Sequence, residues 1–164
     1  MKAITTQALD VLSQAAAGRA RLRANWDIHA GATDPVQRFC NAIEPGSYIR
    51  PHRHGEAGKW ELSIALKGRV VLVLFTPEGV LTDRIVLSAG GPTFGIETEP
   101  GTWHSFAGLE PGSVLFELKP GPYDPAVDKD FAAWAPAEGD PRCSLFEAWF
   151  RTGALGSGPP IRTP

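Results

Sequence analysis

The chain has 164 residues, with 18 Asp and Glu against 16 Lys and Arg, a formal net charge of -2 and 43% hydrophobic residues. That length builds one domain with a real core, and the near-neutral charge gives no ground for nucleic-acid or membrane partners. The longest apolar run, residues 70–75, is far too short to span a bilayer, and no basic region followed by a long apolar segment opens the chain, so a cytoplasmic location is expected.

Residues 4–17 come first, with Ile4, Ala8, Val11, Leu12 and Ala15 near helical spacing and Thr5 or Thr6 as a cap, which predicts a short amphipathic helix. The next stretch carries Arg19, Arg21, Arg23, Asn25 and His29. It reads either as a solvated basic loop or edge strand, or as an arm presenting guanidinium groups to an anion. Cys40 and Cys143 are too few and too far apart for a disulfide scaffold and are read as reduced thiols.

From residue 35 the pattern turns to strands. Residues 36–43, 47–54, 60–67, 69–75, 80–88, 93–99, 102–108 and 113–120 are β-prone and separated by Gly or Pro turns. Many short strands at this spacing predict an all-β sandwich or barrel. Residues 120–140 then read as an ordered Pro- and Asp-rich loop packed on the strands, with Asp128, Lys129 and Asp130 as a local charge network. Residues 144–151 read as a short helix or strand, and the segment after them as a flexible tail.

The chemistry concentrates between Gly46 and Gly68. His52 and His54, two apart, share one face of a strand about 7 Å apart. Glu61 can join them from the next strand, and His104 closes the set; three of the four histidines lie in these two segments. Three imidazoles and a carboxylate suit one divalent transition metal, Zn, Fe, Mn or Ni, with room for water or a small-molecule ligand. If the strand is regular, Tyr48 and Arg50 share the face of the histidines, and Lys59 and Ser63 that of Glu61. Tyr48, Arg50 and Lys59, with Arg23 and Tyr123, are the candidate ligand-binding residues; Glu97, Glu99 and His29 are the candidate proton-transfer residues. The opposite face of that strand, Trp60, Leu62, Ile64 and Leu66, needs cover from the N-terminal helix or from a second subunit, which suggests a homodimer.

The spacing of Gly46, His52, His54, Glu61 and Gly68 resembles the first cupin motif, and "EPGTWH" ending at His104 resembles the second. The gap from His54 to Glu61 is longer than usual, and Gly108 stands where an asparagine is common. With the flanking blocks "RFCNAIEPGSYIRPHRH", "KPGPYDP" and "DKDFAAWAPAEGD", the chain resembles the WbuC family of cupin metalloproteins. The resemblance implies a double-stranded β-helix, a jelly-roll cupin barrel, over residues 19–120. A helix (residues 1–18) would precede it, and a C-terminal extension with a packing segment (121–151) and a tail (152–164) would follow. It also implies His52, His54, Glu61 and His104 as ligands. The expected function is a metal-dependent, isomerase- or epimerase-like step on a sugar or sugar phosphate of surface-polysaccharide metabolism. An Fe(II)-dependent dioxygenase and a sugar-binding module without turnover are the alternatives.

Overall fold

The computed structural model describes residues 1–55 and 57–161. Thr5 opens the first helix by accepting a 3.2 Å hydrogen bond from the Ala8 N–H, and α1 (Thr6–Ala17) follows. The strands are β1 (Arg23–Asp27), β2 (Val36–Ile43), β3 (His52–Arg53), β4 (Glu61–Lys67), β5 (Arg69–Phe75), β6 (Leu81–Ser88), β7 (Gly95–Thr98), β8 (Trp103–Gly108), β9 (Val114–Pro120) and β10 (Asp130–Phe131), and α2 (Cys143–Thr152) ends the series. Two antiparallel sheets result, in the orders β1-β2-β9-β4-β7 and β10-β3-β8-β5-β6, which is the expected all-β jelly roll.

Alternation along each strand divides the side chains between the barrel interior and two outer layers. Inside, Ile43, Ile49, Ala65, Val70, Leu72, Leu87, Phe106 and Leu115 form one apolar cluster. Residues further along the same inner faces are polar: Asn41, Glu61, Ser63, His104, Glu117 and Lys119 are all buried. The barrel therefore has an apolar floor and a polar upper half. Buried polar groups persist only where partners or a bound group satisfy them, so the upper half is where chemistry is to be sought.

One outer layer sits under α1, whose Leu9, Leu12 and Ala16 pack on Ala24, Cys40, Ala42 and Val114. The buried stripe is thus Leu9, Leu12, Ser13 and Ala16, whereas Ile4 and Val11 are exposed, a rotation relative to the sequence reading. Ser13 is tolerated inside because its hydroxyl donates to the Leu9 carbonyl at 2.6 Å. Leu66 joins this cluster, while Leu62 and Ile64 stay half-buried.

The other outer layer is built by α2 and the loop before it. Phe146, Trp149 and Phe150 pack on Tyr48, Val71, Val73 and Phe75. Both cysteines are free.

The segment expected to be a strand over 47–54 is one only at His52–Arg53. Pro51 lacks the N–H a ladder needs, so the alternation is reset before the histidines. Ile49 consequently points into the barrel and Tyr48 out of it, which separates Tyr48 from the histidine face. The segment expected to be a flexible tail is partly tied down. Gly156 N–H donates to the Leu81 carbonyl at 2.8 Å, and Leu81 N–H to the Ser157 carbonyl at 2.9 Å. The end of that segment, residues 162–164, lies outside the described residues.

Candidate metal centre

His52 on β3 is paired directly with His104 on β8, which sets two imidazoles side by side, with ring centroids 4.6 Å apart. His54 follows two residues after His52 on the same face, its ring 5.4 Å from that of His52. One ring nitrogen from each of His52, His54 and His104 lies within 4.8 Å of the others. All three residues are at most 3% exposed, so this is an interior cluster and not a surface coincidence.

Each imidazole is turned inward by a main-chain carbonyl. Nδ1 of His52 faces the Arg50 carbonyl at 2.9 Å, Nδ1 of His104 faces that of Thr102 at 2.9 Å, and Nδ1 of His54 faces that of Asp128 at 2.6 Å. A carbonyl oxygen only accepts, so Nδ1 carries the proton in all three rings, and neutral rings present Nε2 as a lone pair. This is the tautomer a metal-binding histidine requires, fixed by groups outside the centre.

Glu61, 4% exposed, projects from β4 into the same space. Its Oε2 lies 3.2 Å from His104 Nε2 and 3.7 Å from His54 Nε2. Burial raises its pKa, and hydrogen-bonded positive charge on the side of His104 and His54 lowers it well below the ordinary range; with both Nε2 atoms unprotonated, a bound cation would supply that charge. Burial, with Lys129 and His104 nearby, keeps His52 well below the usual imidazole range and so neutral. Lone pairs thus converge on one point, and among the described residues the buried His54 Nε2 has no hydrogen-bond partner. That donor set fits a divalent cation: an electron-pair acceptor at the point of convergence would satisfy His54 Nε2 and relieve the close approach of two acceptors at His104 and Glu61. His52, His54, His104 and Glu61 are the residues that would hold it.

The polar wall behind the centre was not singled out by sequence. Glu117 on β9, 5% exposed, accepts from Asn41 Nδ2 at 2.8 Å and stands opposite Ser63. Burial first, and then the charge of Glu61, push its pKa up to about 8. Lys119 and Asp128 form a buried ion pair at 2.8 Å. The signal available in sequence was the period-2 pattern of Leu115, Glu117 and Lys119, which puts two charges in line with a core leucine.

The other candidate site residues have partners of their own. Tyr48 donates its hydroxyl to the Pro136 carbonyl at 2.9 Å and stacks on Phe150. Arg23 is tied to Glu138 and donates to the Tyr48 carbonyl at 2.7 Å, so the arginine arm staples the C-terminal loop to the barrel. Arg50 donates to the Ala132 carbonyl at 2.9 Å, and its guanidinium lies 5.4 Å from the centre of the Phe131 ring. Lys59 donates to the Pro120 and Pro122 carbonyls, and Tyr123 is exposed beside Lys119. Glu97 is exposed and pairs with Leu62; it is Thr98 that shares the face of Glu61. Glu99 is exposed in the turn that follows. His29 is held against the main chain of Arg38, its Nδ1 3.0 Å from that N–H. The structure brings none of these three to the imidazole cluster.

A family model described as a domain of unknown function, DUF6016, matches residues 4–87. No curated protein matches the chain. Among solved structures, oxalate oxidase in complex with the substrate analogue glycolate aligns at a TM-score of 0.53 and 15% identity, over 70% of this chain and 57% of that one. The chain therefore spans little more than half the length of oxalate oxidase. KdgF from Halomonas sp. aligns at a TM-score of 0.49 and 20% identity, over 63% of this chain and 82% of that one. A cupin superfamily protein from Desulfitobacterium hafniense DCB-2 aligns at 0.48 and 16% identity, over 66% of this chain and 86% of that one. At 15% identity the likeness to oxalate oxidase is one of fold alone, the jelly roll. No helix among the described residues is long and apolar enough to cross a membrane.

Proposed function

For a chain that belongs to the DUF6016 family of domains of unknown function and folds as a cupin, we propose a metal-dependent reaction on a small polar or anionic ligand bound inside the barrel. The observation that carries this is the inward convergence of three imidazole Nε2 atoms, each with Nδ1 fixed by a main-chain carbonyl. The reaction class we favour is isomerisation or epimerisation of a sugar or sugar phosphate. A bound divalent cation would supply Lewis acidity toward a carbonyl or adjacent hydroxyls. The protein's own part is to keep the site dry and to move a proton. Glu117 suits that second task, because a buried carboxyl with its pKa raised to about 8 can both give and take a proton near neutral pH. Asn41 orients it through the 2.8 Å bond.

This reading includes the WbuC-like place in surface-polysaccharide metabolism, a cytoplasmic location and a homodimer, the last checked by light scattering. The central test is metal analysis of protein purified without an affinity tag, followed by reconstitution with Zn, Mn or Co. About one equivalent per chain is expected for the wild type and none for His52→Ala. Sugar phosphates incubated with each metal form in deuterated water under argon should then take up deuterium at one carbon, read by NMR. Iron-dependent oxygen uptake without such exchange would select a dioxygenase instead. Saturable binding of sugars with neither outcome would leave a binding module.

A further inference from the structure

Lys129 lies in a segment that runs beside two of the metal-centre histidines. Asp130 pairs with Arg53 and Phe131 with His52, and the His54 Nδ1 bond to the Asp128 carbonyl continues this line at 2.6 Å. One further step of the register sets Lys129 opposite His54, with its side chain on the face that carries Phe131, His52 and His54. The Phe131 and His52 rings, 6.2 Å between centroids, show that this face is shared. Lys129 is half-buried, and its charge is felt by His52 and by Glu117.

Lys119 and Lys129 face two ionised carboxylates, Asp128 and Glu61, so a bound divalent cation would leave positive charge unmatched. Lys119 pairs with Asp128 at 2.8 Å, and Glu61 is among the residues that would hold the cation. Among the described residues, no hydrogen bond or ion pair engages the Lys129 ammonium. Burial and the neighbouring Lys119 lower its pKa, against the opposing effect of Glu61, Glu117 and Asp128. Among the described residues, Ser63 Oγ, in a residue 0% exposed, and Asn41 Oδ1, in a residue 8% exposed, lack hydrogen-bond partners, as does Asp128 Oδ1. Ser63 stands two residues from Glu61 and opposite Glu117, so these free polar atoms adjoin the metal centre.

We propose that Lys129 is the anion-binding residue of the barrel, holding the carboxylate or phosphate of a small hydroxylated ligand whose hydroxyls reach Ser63 and Asn41 beside the metal centre. The inference rests on the metal reading above and narrows its ligand to a hydroxylated anion. The ammonium supplies charge and strong hydrogen bonds, and the wall supplies an acceptor and a hydroxyl. A neutral sugar would leave the ammonium unmatched.

The test uses the full chain loaded with Co(II), with metal content measured separately for every variant. Binding of D-gluconate, glucose 6-phosphate, acetate and glucose is followed by calorimetry and by the visible spectrum of the cobalt. D-Gluconate or glucose 6-phosphate should bind at least tenfold more tightly than glucose, and whichever binds better identifies the anionic group. Lys129→Met should weaken that ligand at least tenfold, about 1.4 kcal/mol, with cobalt content unchanged. Lys129→Arg should stay within threefold of the wild type and shows that the effect is one of charge. Ser63→Ala should weaken the hydroxylated anion severalfold and leave acetate unchanged. Equal affinity for glucose and both anions in cobalt-loaded protein overturns the proposal while leaving the metal centre intact, as does a Lys129→Met variant within twofold of the wild type. Failure of the wild type to hold cobalt overturns the metal reading and this proposal together.

Discussion

His54 and Asp128, 74 residues apart, are joined by a 2.6 Å hydrogen bond from the imidazole Nδ1 to the main-chain carbonyl. The orientation of one imidazole therefore depends on a loop outside the barrel strands, and that loop is anchored by the buried Lys119–Asp128 pair. Removing one partner of a buried pair leaves an uncompensated charge and costs about 3–5 kcal/mol. Asp128→Ala should lower unfolding stability by about that amount and weaken metal affinity about 10–100-fold through the displaced carbonyl. The double variant Lys119→Met/Asp128→Leu should recover most of the stability, because it strands neither charge. Urea unfolding and competition with a chromophoric chelator measure the two effects.

Tyr48 gives the opposite prediction. Its hydroxyl donates to the Pro136 carbonyl, and its ring lies between the barrel and Phe146 and Phe150, away from the imidazoles. Tyr48→Phe removes one buried hydrogen bond and should cost about 1 kcal/mol, with metal content and ligand affinity unchanged. Phe150→Ala, at a residue 0% exposed, should cost about 3–5 kcal/mol and lower the melting temperature far more.

Those two residues show what was legible in the sequence. The histidine pair and the second-motif histidine could be read because two-residue alternation survives locally at His52–Arg53–His54 and along β8. The same rule failed four residues upstream, at Tyr48, because Pro51 resets it. The predicted helix existed but its buried face was rotated, since the packing of Leu9 and Ala16 on β1 and β2 decided the face and not the looser run from Ile4. Arg23, whose composition suggested anion binding, found Glu138 through a fold contact that no local pattern announces. Lys129, in sequence one member of a local charge network, acquires its place only from the pairing of β10 with β3, two strands of two residues each.

Glu117 should give the stability of the metal-free protein a pH dependence of known sign. Its folded pKa, about 8, lies above the ordinary carboxylate value, so between roughly pH 4.5 and 8 the folded state holds a proton that the unfolded chain has lost. Stability from this group is fully present below the unfolded pKa and is lost as pH rises through that window. Glu117→Gln, which keeps the size and a donor for the site, should flatten that part of the profile. A bound divalent cation should flatten it too, because it offsets the Glu61 charge that helps hold the proton on Glu117. Chemical denaturation at a series of pH values, with and without Zn, checks both; a Glu117→Gln profile parallel to the wild type would refute the assignment.

Gly108 ends the strand that carries His104, and its neighbours explain why no side chain is found there. A Cβ at this position would meet the Ile43 carbonyl oxygen, with the Glu44 carbonyl carbon at 2.9 Å and its oxygen at 3.1 Å, all main-chain atoms that cannot swing aside. The end of β8 would have to move away from the end of β2, and β8 is registered through Leu74↔His104 and His52↔His104 to the metal centre. Gly101 is the useful contrast: its φ of +80° favours glycine, but a Cβ there meets nothing within 4 Å. Gly101→Ala should cost about 1 kcal/mol from backbone strain alone. Gly108→Ala should cost more, about 1–3 kcal/mol or above from overpacking against fixed atoms, and should also lower metal affinity, because the displaced strand carries His104. Equal stability losses in the two variants, or a Gly108→Ala protein with wild-type metal affinity, would show that β8 does not transmit the strain.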